Sequence, residues 1–191
     1  LAIKELAKLM NEHFAIKGVP SSEVTKELAI SLGIPLLKLG EVSAIDISID
    51  GADEFTEDLN LIKGGGGALF REKIMASLSK KSIIITDSAK KVEKLGAFTV
   101  PIEVNPNAEA YITSQLKKLK GNPVKRIIDG KVFITDNHNY ILDTDFGLIE
   151  NPYQLDKDLN QLVGVVAHGI FVNLTSIILM AKGDEIKSYH I

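Results

Sequence analysis

The chain has 191 residues, 45% hydrophobic and 25% charged, with a formal net charge of −3 and no cysteine. That is enough apolar chain for one medium domain, or one domain with a small companion. Lack of cysteine excludes a disulfide frame and thiol chemistry, no apolar run is long enough to span a bilayer, and the absence of a basic block argues against nucleic acid as the partner.

In chain order, apolar residues at 1, 2, 3, 6, 9 and 10 with Lys and Glu between them predict an amphipathic helix over 1–12, buried on one face. It does not read as a signal peptide. A second helix is expected over 22–32, stopped by Gly33 and Pro35. Residues 36–39 form a short apolar, strand-like piece. Residues 45–50 (IDISID) alternate with period two and predict a strand that Gly51 ends. Asp50 therefore sits at a strand's carboxyl end, the edge where open α/β sheets bind ligands.

An acidic loop follows, then Lys63, four consecutive glycines (Gly64 to Gly67) and a helix over 67–79. Spacing at 100° per residue gathers Phe70, Ile74, Met75 and Leu78 on one arc. Glu72 falls between Ala68 and Ala76, which leave room above it. Arg71 points into the apolar arc and is expected to be paired or snorkelling. Residues 82–86 (SIIIT) read as a buried parallel strand, ending in Asp87-Ser88-Ala89-Lys90.

After Gly96 the texture changes. A strand is expected over 100–104 and a helix over 108–119, started by Asn105-Pro106-Asn107. A hairpin, 124–128 with 131–135, turns at Asp129-Gly130, and 140–143 extends the meander. A helix over 155–162 and a strand over 164–171 complete a ferredoxin-like order. Residues 176–181 and 186–189 form a hairpin returning to the first sheet. The fold class is α/β: a three-layer sheet domain (1–96 and 172–191) with helices on both faces, plus a smaller ferredoxin-like α+β domain (97–171).

The stretch from Asp50 to Lys73 concentrates the chemistry. Glycines before a helix let backbone N–H groups approach an anion or a developing oxyanion, or they make a flexible turn. The run is neither a P-loop nor a dinucleotide fingerprint, since no Gly-Lys-Ser/Thr closes it and Leu69 occupies the last glycine's place. Asp50, Asp53 and Glu54 read as metal ligands or as caps and surface charge; no His lies near and the spacing is no calcium loop. Lys63 is a fixed positive charge for those acids, or a solvated lysine. Glu72 is a base, or a complement to the helix dipole. Lys90 belongs to the same edge or to the plain surface. His13, His138, His168 and His190 have no partner spacing and read as structural or exposed. A carboxylate base beside acids and a lysine, with no metal set, fits proton transfer between adjacent carbons of a sugar. Partial burial would raise Glu72 toward a useful pKa.

These residues resemble the ribose-5-phosphate isomerase A family. The matching text is Asp50-Gly51-Ala52-Asp53-Glu54, Lys63-Gly64-Gly65-Gly66, Arg71-Glu72-Lys73 and Asp87-Ser88-Ala89-Lys90, with Val100 to Val104 and Val163 to Val166 later. The resemblance implies Glu72 as general base, Asp50 as the acid for ring opening and hydroxyl protons, and Asp53 and Lys63 as substrate-orienting and enediolate-stabilising groups. Asp50, Gly51, Ala52, Asp53, Lys63, Gly64, Gly65, Gly66 and Lys90 would line the site for a small phosphosugar. It implies no cofactor and no metal, no nucleic-acid or membrane partner, a homodimer or homotetramer, and a cytoplasmic enzyme of the pentose phosphate pathway. The family's Gly-Thr-Gly-Ser-Thr phosphate loop is absent from this text, its place falling upstream of Leu1. One rival is a non-catalytic sugar-phosphate-binding sensor on the same fold, which would not need Glu72, Asp50 and Lys63 together. A second is a related hydrolase or deaminase, which uses other acids and often a His.

Overall fold

The structure is a computed structural model and describes residues 2–10 and 15–190. The end of the predicted first helix, with His13 just beyond it, lies outside the described residues. Helix α1 (Ala2–Met10) presents Ile3, Leu6, Ala7 and Met10 on one side. These residues are half-buried and none is fully covered, so the expected buried face is only partly closed. Helix α2 (Glu23–Ser31) starts where Ser22 accepts the Thr25 N–H at 3.1 Å, which satisfies one of the free donors of a first turn. Residues 36–39 do not form a strand. Leu36 makes a single bridge to Gly18, and a 3-10 turn follows at Leu39–Glu41.

Strand β1 (Ile45–Asp50) runs as its alternation predicts. The acidic loop is more ordered than expected. It folds into a tight antiparallel hairpin, β2 (Glu54–Phe55) with β3 (Leu61–Ile62). Helix α3 (Leu69–Leu78) and strand β4 (Ser79–Asp87) follow. Then come β5 (Val100–Val104), α4 (Glu109–Lys118), β6 (Asn122–Lys125), β7 (Ile127–Ile128), β8 (Lys131–Val132) and β9 (Tyr140–Asp145). The chain closes with α5 (Pro152–Asn160), β10 (Val165–His168), β11 (Ile170–Phe171), β12 (Ile177–Lys182) and β13 (Glu185–His190).

Two main sheets result. The first has order β1-β4-β12-β13, with β1, β4 and β12 parallel and β13 turned back by the Gly183 hairpin. The second is antiparallel with order β10-β5-β9-β6, the interleaved pattern of a ferredoxin-like unit. The predicted long hairpin there is shorter than its sequence suggests. Only β7 and β8 pair across Asp129-Gly130, both at positive φ, while β6 pairs with β9. The predicted strand over 164–171 splits at Gly169: β10 stays with β5, and β11 crosses to pair with β3.

Helix α3 is held between the two sheets, packed on β1 and β4 on one side and on β5 and β10 on the other. Val100, Ile102 and Val104 face α4 and α5 in one apolar cluster. Phe55, Leu61, Phe171, Ile84, Ile178 and Met180 form a second under the parallel sheet. Ile47, Ile49 and Ile85, on that sheet's other face, are about half exposed. No described helix is long and apolar enough to cross a membrane.

Candidate active site

Strand β1 ends at Asp50, β3 ends just before Lys63, and Glu72 sits in the first turn of α3. Because α3 lies over the carboxyl edge of β1, the three side chains converge. The Lys63 ammonium is 2.9 Å from Asp50 Oδ2 and 3.2 Å from Glu72 Oε2, and it donates to the Gly51 carbonyl at 2.6 Å. Its side chain is 5% exposed, so this cation is fixed rather than solvated. Asp50 Oδ1 accepts the Gly51 N–H at 2.8 Å. Asp53 Oδ2 accepts the Gly65 N–H at 2.8 Å, tying the acidic loop to the glycine run.

Glu72 Oε2 is buried, and the Lys63 ammonium at 3.2 Å is the charge beside it. Burial pushes the Glu72 carboxyl above its ordinary 4.5, against the pull of Lys63 and with help from the nearby Asp50 and Asp53 charges. For Lys63, burial alone would lower the pKa. The Asp50 and Glu72 carboxylates more than offset it, so the ammonium is held above 10.5. A buried carboxylate can take a proton, and the locked cation next to it can steady the negative charge that forms.

Asp50, Lys63 and Glu72 form a wall shared by two cavities. One is an open cleft of about 210 Å³ lined by Asp50, Gly51, Ala52, Asp53, Lys63, Gly64, Gly65, Gly66 and Glu72. The other, about 20 Å³, lies under α3 against Ser48, Ser82 and Thr175 and has room for about one water. Ala76 borders it, in keeping with the space expected beside Glu72.

Two of the acid-edge residues lie elsewhere. Glu54 is buried and accepts the Gly96 and Phe98 N–H groups at 2.7 and 2.6 Å, which pins the chain after β4 rather than serving the cleft. Lys90 stands in the turn after β4 and lines neither cavity. Arg71 is paired, as expected: it reaches Glu23 at 3.1 Å, Asn137 Oδ1 at 3.1 Å and the Asp136 carbonyl at 3.3 Å. Among the described residues no cluster of three or more His, Cys, Asp or Glu is arranged to hold a metal ion.

Other groups around the site were not legible in the sequence. Phe171 is fully buried, with the Lys63 and Lys73 ammonium groups 5.5 and 4.9 Å from its ring centre. Lys73 donates to the Ile170 carbonyl at 2.8 Å, and burial pushes its pKa down to about 8. Beside it, His168 is buried and held neutral, well below 6.5, by burial and by the Lys73 charge. Arg126 donates to the Gly64 and Gly65 carbonyls at 3.0 Å each. No periodicity marks these residues, because their partners lie far away in the chain.

The family model for ribose 5-phosphate isomerase A (phosphoriboisomerase A) matches residues 17–185. A ribose-5-phosphate isomerase A of Desulfatibacillum aliphaticivorans is 48% identical over 190 residues, covering 97% of this chain and 83% of that protein. One from Agrobacterium fabrum is 43% identical, covering 93% of this chain and 81% of that protein. Among solved structures, a ribose 5-phosphate isomerase from Plasmodium falciparum superposes with a TM-score of 0.94 at 39% identity, covering 100% of this chain and 85% of that one. A D-ribose-5-phosphate isomerase in complex with phospho-erythronic acid superposes with a TM-score of 0.94 at 38% identity, covering 99% and 85%. With the family model matched over most of its length, and relatives this similar over most of theirs, the chain belongs to the ribose 5-phosphate isomerase A family.

Proposed function

We propose that this chain is an aldose–ketose isomerase. It interconverts D-ribose 5-phosphate and D-ribulose 5-phosphate through an enediolate, in the non-oxidative pentose phosphate pathway. The observation that carries this reading is the buried Glu72 carboxylate on the cleft wall, 3.2 Å from the Lys63 ammonium that Asp50 also holds.

Asp50 opens the sugar ring: the O1 proton leaves, the C1–O4 bond breaks, and O4 is protonated. Glu72 then takes the C2 proton, and the electron pair moves onto O1. Lys63 offsets that charge. Asp50 moves the O2 proton to O1, Glu72 returns its proton to C1, and the ketose remains. Asp53, the backbone of Gly51, Ala52 and Gly64 to Gly66, and Lys90 from the turn after β4 orient the substrate. Residues 1–96 with 172–191 serve as the catalytic unit and 97–171 as a smaller one. The pairing of β12 with β4 supports this division, although β11 joins β3. The family resemblance extends the proposal to a cytoplasmic homodimer or homotetramer, which sedimentation velocity tests.

A coupled assay with ribose 5-phosphate tests the activity. Turnover that survives chelator is expected. No turnover, or a chelator-sensitive loss restored by Mg²⁺ or Zn²⁺, would refute this mechanism.

A further inference from the structure

The glycine run is held from the far side by the antiparallel sheet. Arg126, in the link between β6 and β7, is 10% exposed in its side chain and forms a two-pronged pair with Asp143 of β9. Its remaining nitrogen, Nη1, donates to the carbonyls of both Gly64 and Gly65. The guanidinium lies over the Phe133 ring, 5.7 Å from its centre. Phe133 in turn fills the space at Gly67, where an added Cβ would sit 2.5 Å from the ring. Two neighbouring side chains, one before β7 and one after β8, thus shape both ends of the loop.

Each carbonyl that Arg126 grips shares a peptide with an N–H on the opposite side. The Gly64 carbonyl is coupled to the Gly65 N–H, which holds Asp53. The Gly65 carbonyl is coupled to the Gly66 N–H, which enters no backbone hydrogen bond of the described residues; Gly66 lines the cleft. A positive charge on the carbonyl side fixes these peptide planes and strengthens their N–H groups as donors.

We propose that Arg126, anchored by Asp143, is a positioning residue for the isomerisation. It sets the glycine-loop peptides so that Gly65 holds Asp53 and Gly66 offers its N–H to the negative charge that develops in the cleft. This rests on the isomerase reading and deepens it. A lysine cannot replace the planar fork, because its single nitrogen cannot make the four bonds that Arg126 spreads over three nitrogens on two sides.

The test compares R126K, R126M and, as a control on the same strand region, K125M, whose lysine pairs with Glu109 instead. For R126K and R126M, kcat/KM should fall ~10-fold or more, mostly in kcat, less than outright removal of a transition-state donor costs because the N–H is displaced rather than lost. Inhibition by phospho-erythronic acid, whose carboxylate mimics the developing charge, should weaken by ~10-fold or more on the same ground. Amide hydrogen exchange at Gly65, whose N–H is held by Asp53, should speed up, and K125M should match wild type in every readout. A folded R126K within about twofold of wild type in turnover and inhibitor affinity would overturn the proposal, since a lost donor costs far more. So would equal losses in K125M. Absence of wild-type turnover would instead sink the isomerase reading; the exchange measurement, which needs no turnover, would then decide Arg126's hold on the loop by itself.

Discussion

At Glu72 two demands compete. A base must be ionised to work, yet burial favours its neutral form. Lys63 resolves this by standing 3.2 Å from Oε2, close enough to stabilise the carboxylate. Glu72→Gln keeps the shape and removes the base, so kcat should fall ~100-fold or more with KM changed little, as steady-state kinetics would reveal. The sign of the pH dependence follows from the raised carboxyl. Activity should be full where Glu72 is ionised and should fall as pH drops through a value above the ordinary 4.5. The acid limb of kcat/KM against pH measures this. A limb at or below 4.5 would contradict the burial argument.

Among the elements, the break at Gly169 is what brings the two sheets to one site. Its N–H donates to the Pro101 carbonyl of β5 at 2.7 Å, and its own carbonyl accepts the Lys63 N–H at 2.9 Å. A Cβ there would lie 2.3 Å from the Lys63 carbonyl and 2.6 Å from Pro101. Backbone cannot yield as a flexible side chain does. Gly169→Ala should therefore displace Lys63 and lower both kcat and the urea midpoint, at a cost of about 1–3 kcal/mol, the range for overpacking. An unchanged midpoint with normal turnover would show that the strands slide apart freely.

On the scale of the whole molecule, Lys73 ties α3 to β11 from inside, with Lys63 across the Phe171 ring, His168 of β10 beside it at 3.3 Å, and Asp156 of α5 at 4.0 Å. Its folded pKa, about 8, lies below the 10.5 of an ordinary lysine. Between those values the unfolded chain binds more protons, so this group makes stability rise with pH from about 8 upward; below that, the charge is buried at constant cost. Lys73→Met should remove that slope. Urea midpoints from pH 7 to 10 for both proteins isolate the contribution, and parallel curves would refute it.

Local pattern carried the centre of this protein. The strand ending at Asp50, the glycine run and Glu72 at the start of α3 fall within one short stretch. There, the period-two alternation, glycine punctuation and the 100° helical step are all set by neighbouring residues. Those signals made the Asp50–Lys63–Glu72 convergence legible, and the order of elements made the interleaved second sheet legible. Tertiary structure alone decided that Glu54 pins Gly96 and Phe98, that Lys90 lines neither cavity, that residues 170–171 leave β10 for β3, and that Arg126 grips the loop. Apart from the place of Lys90, these choices depend on hydrogen-bond partners 42 or more residues distant in the chain. A buried donor must find an acceptor wherever packing brings one, and sequence spacing does not encode that meeting.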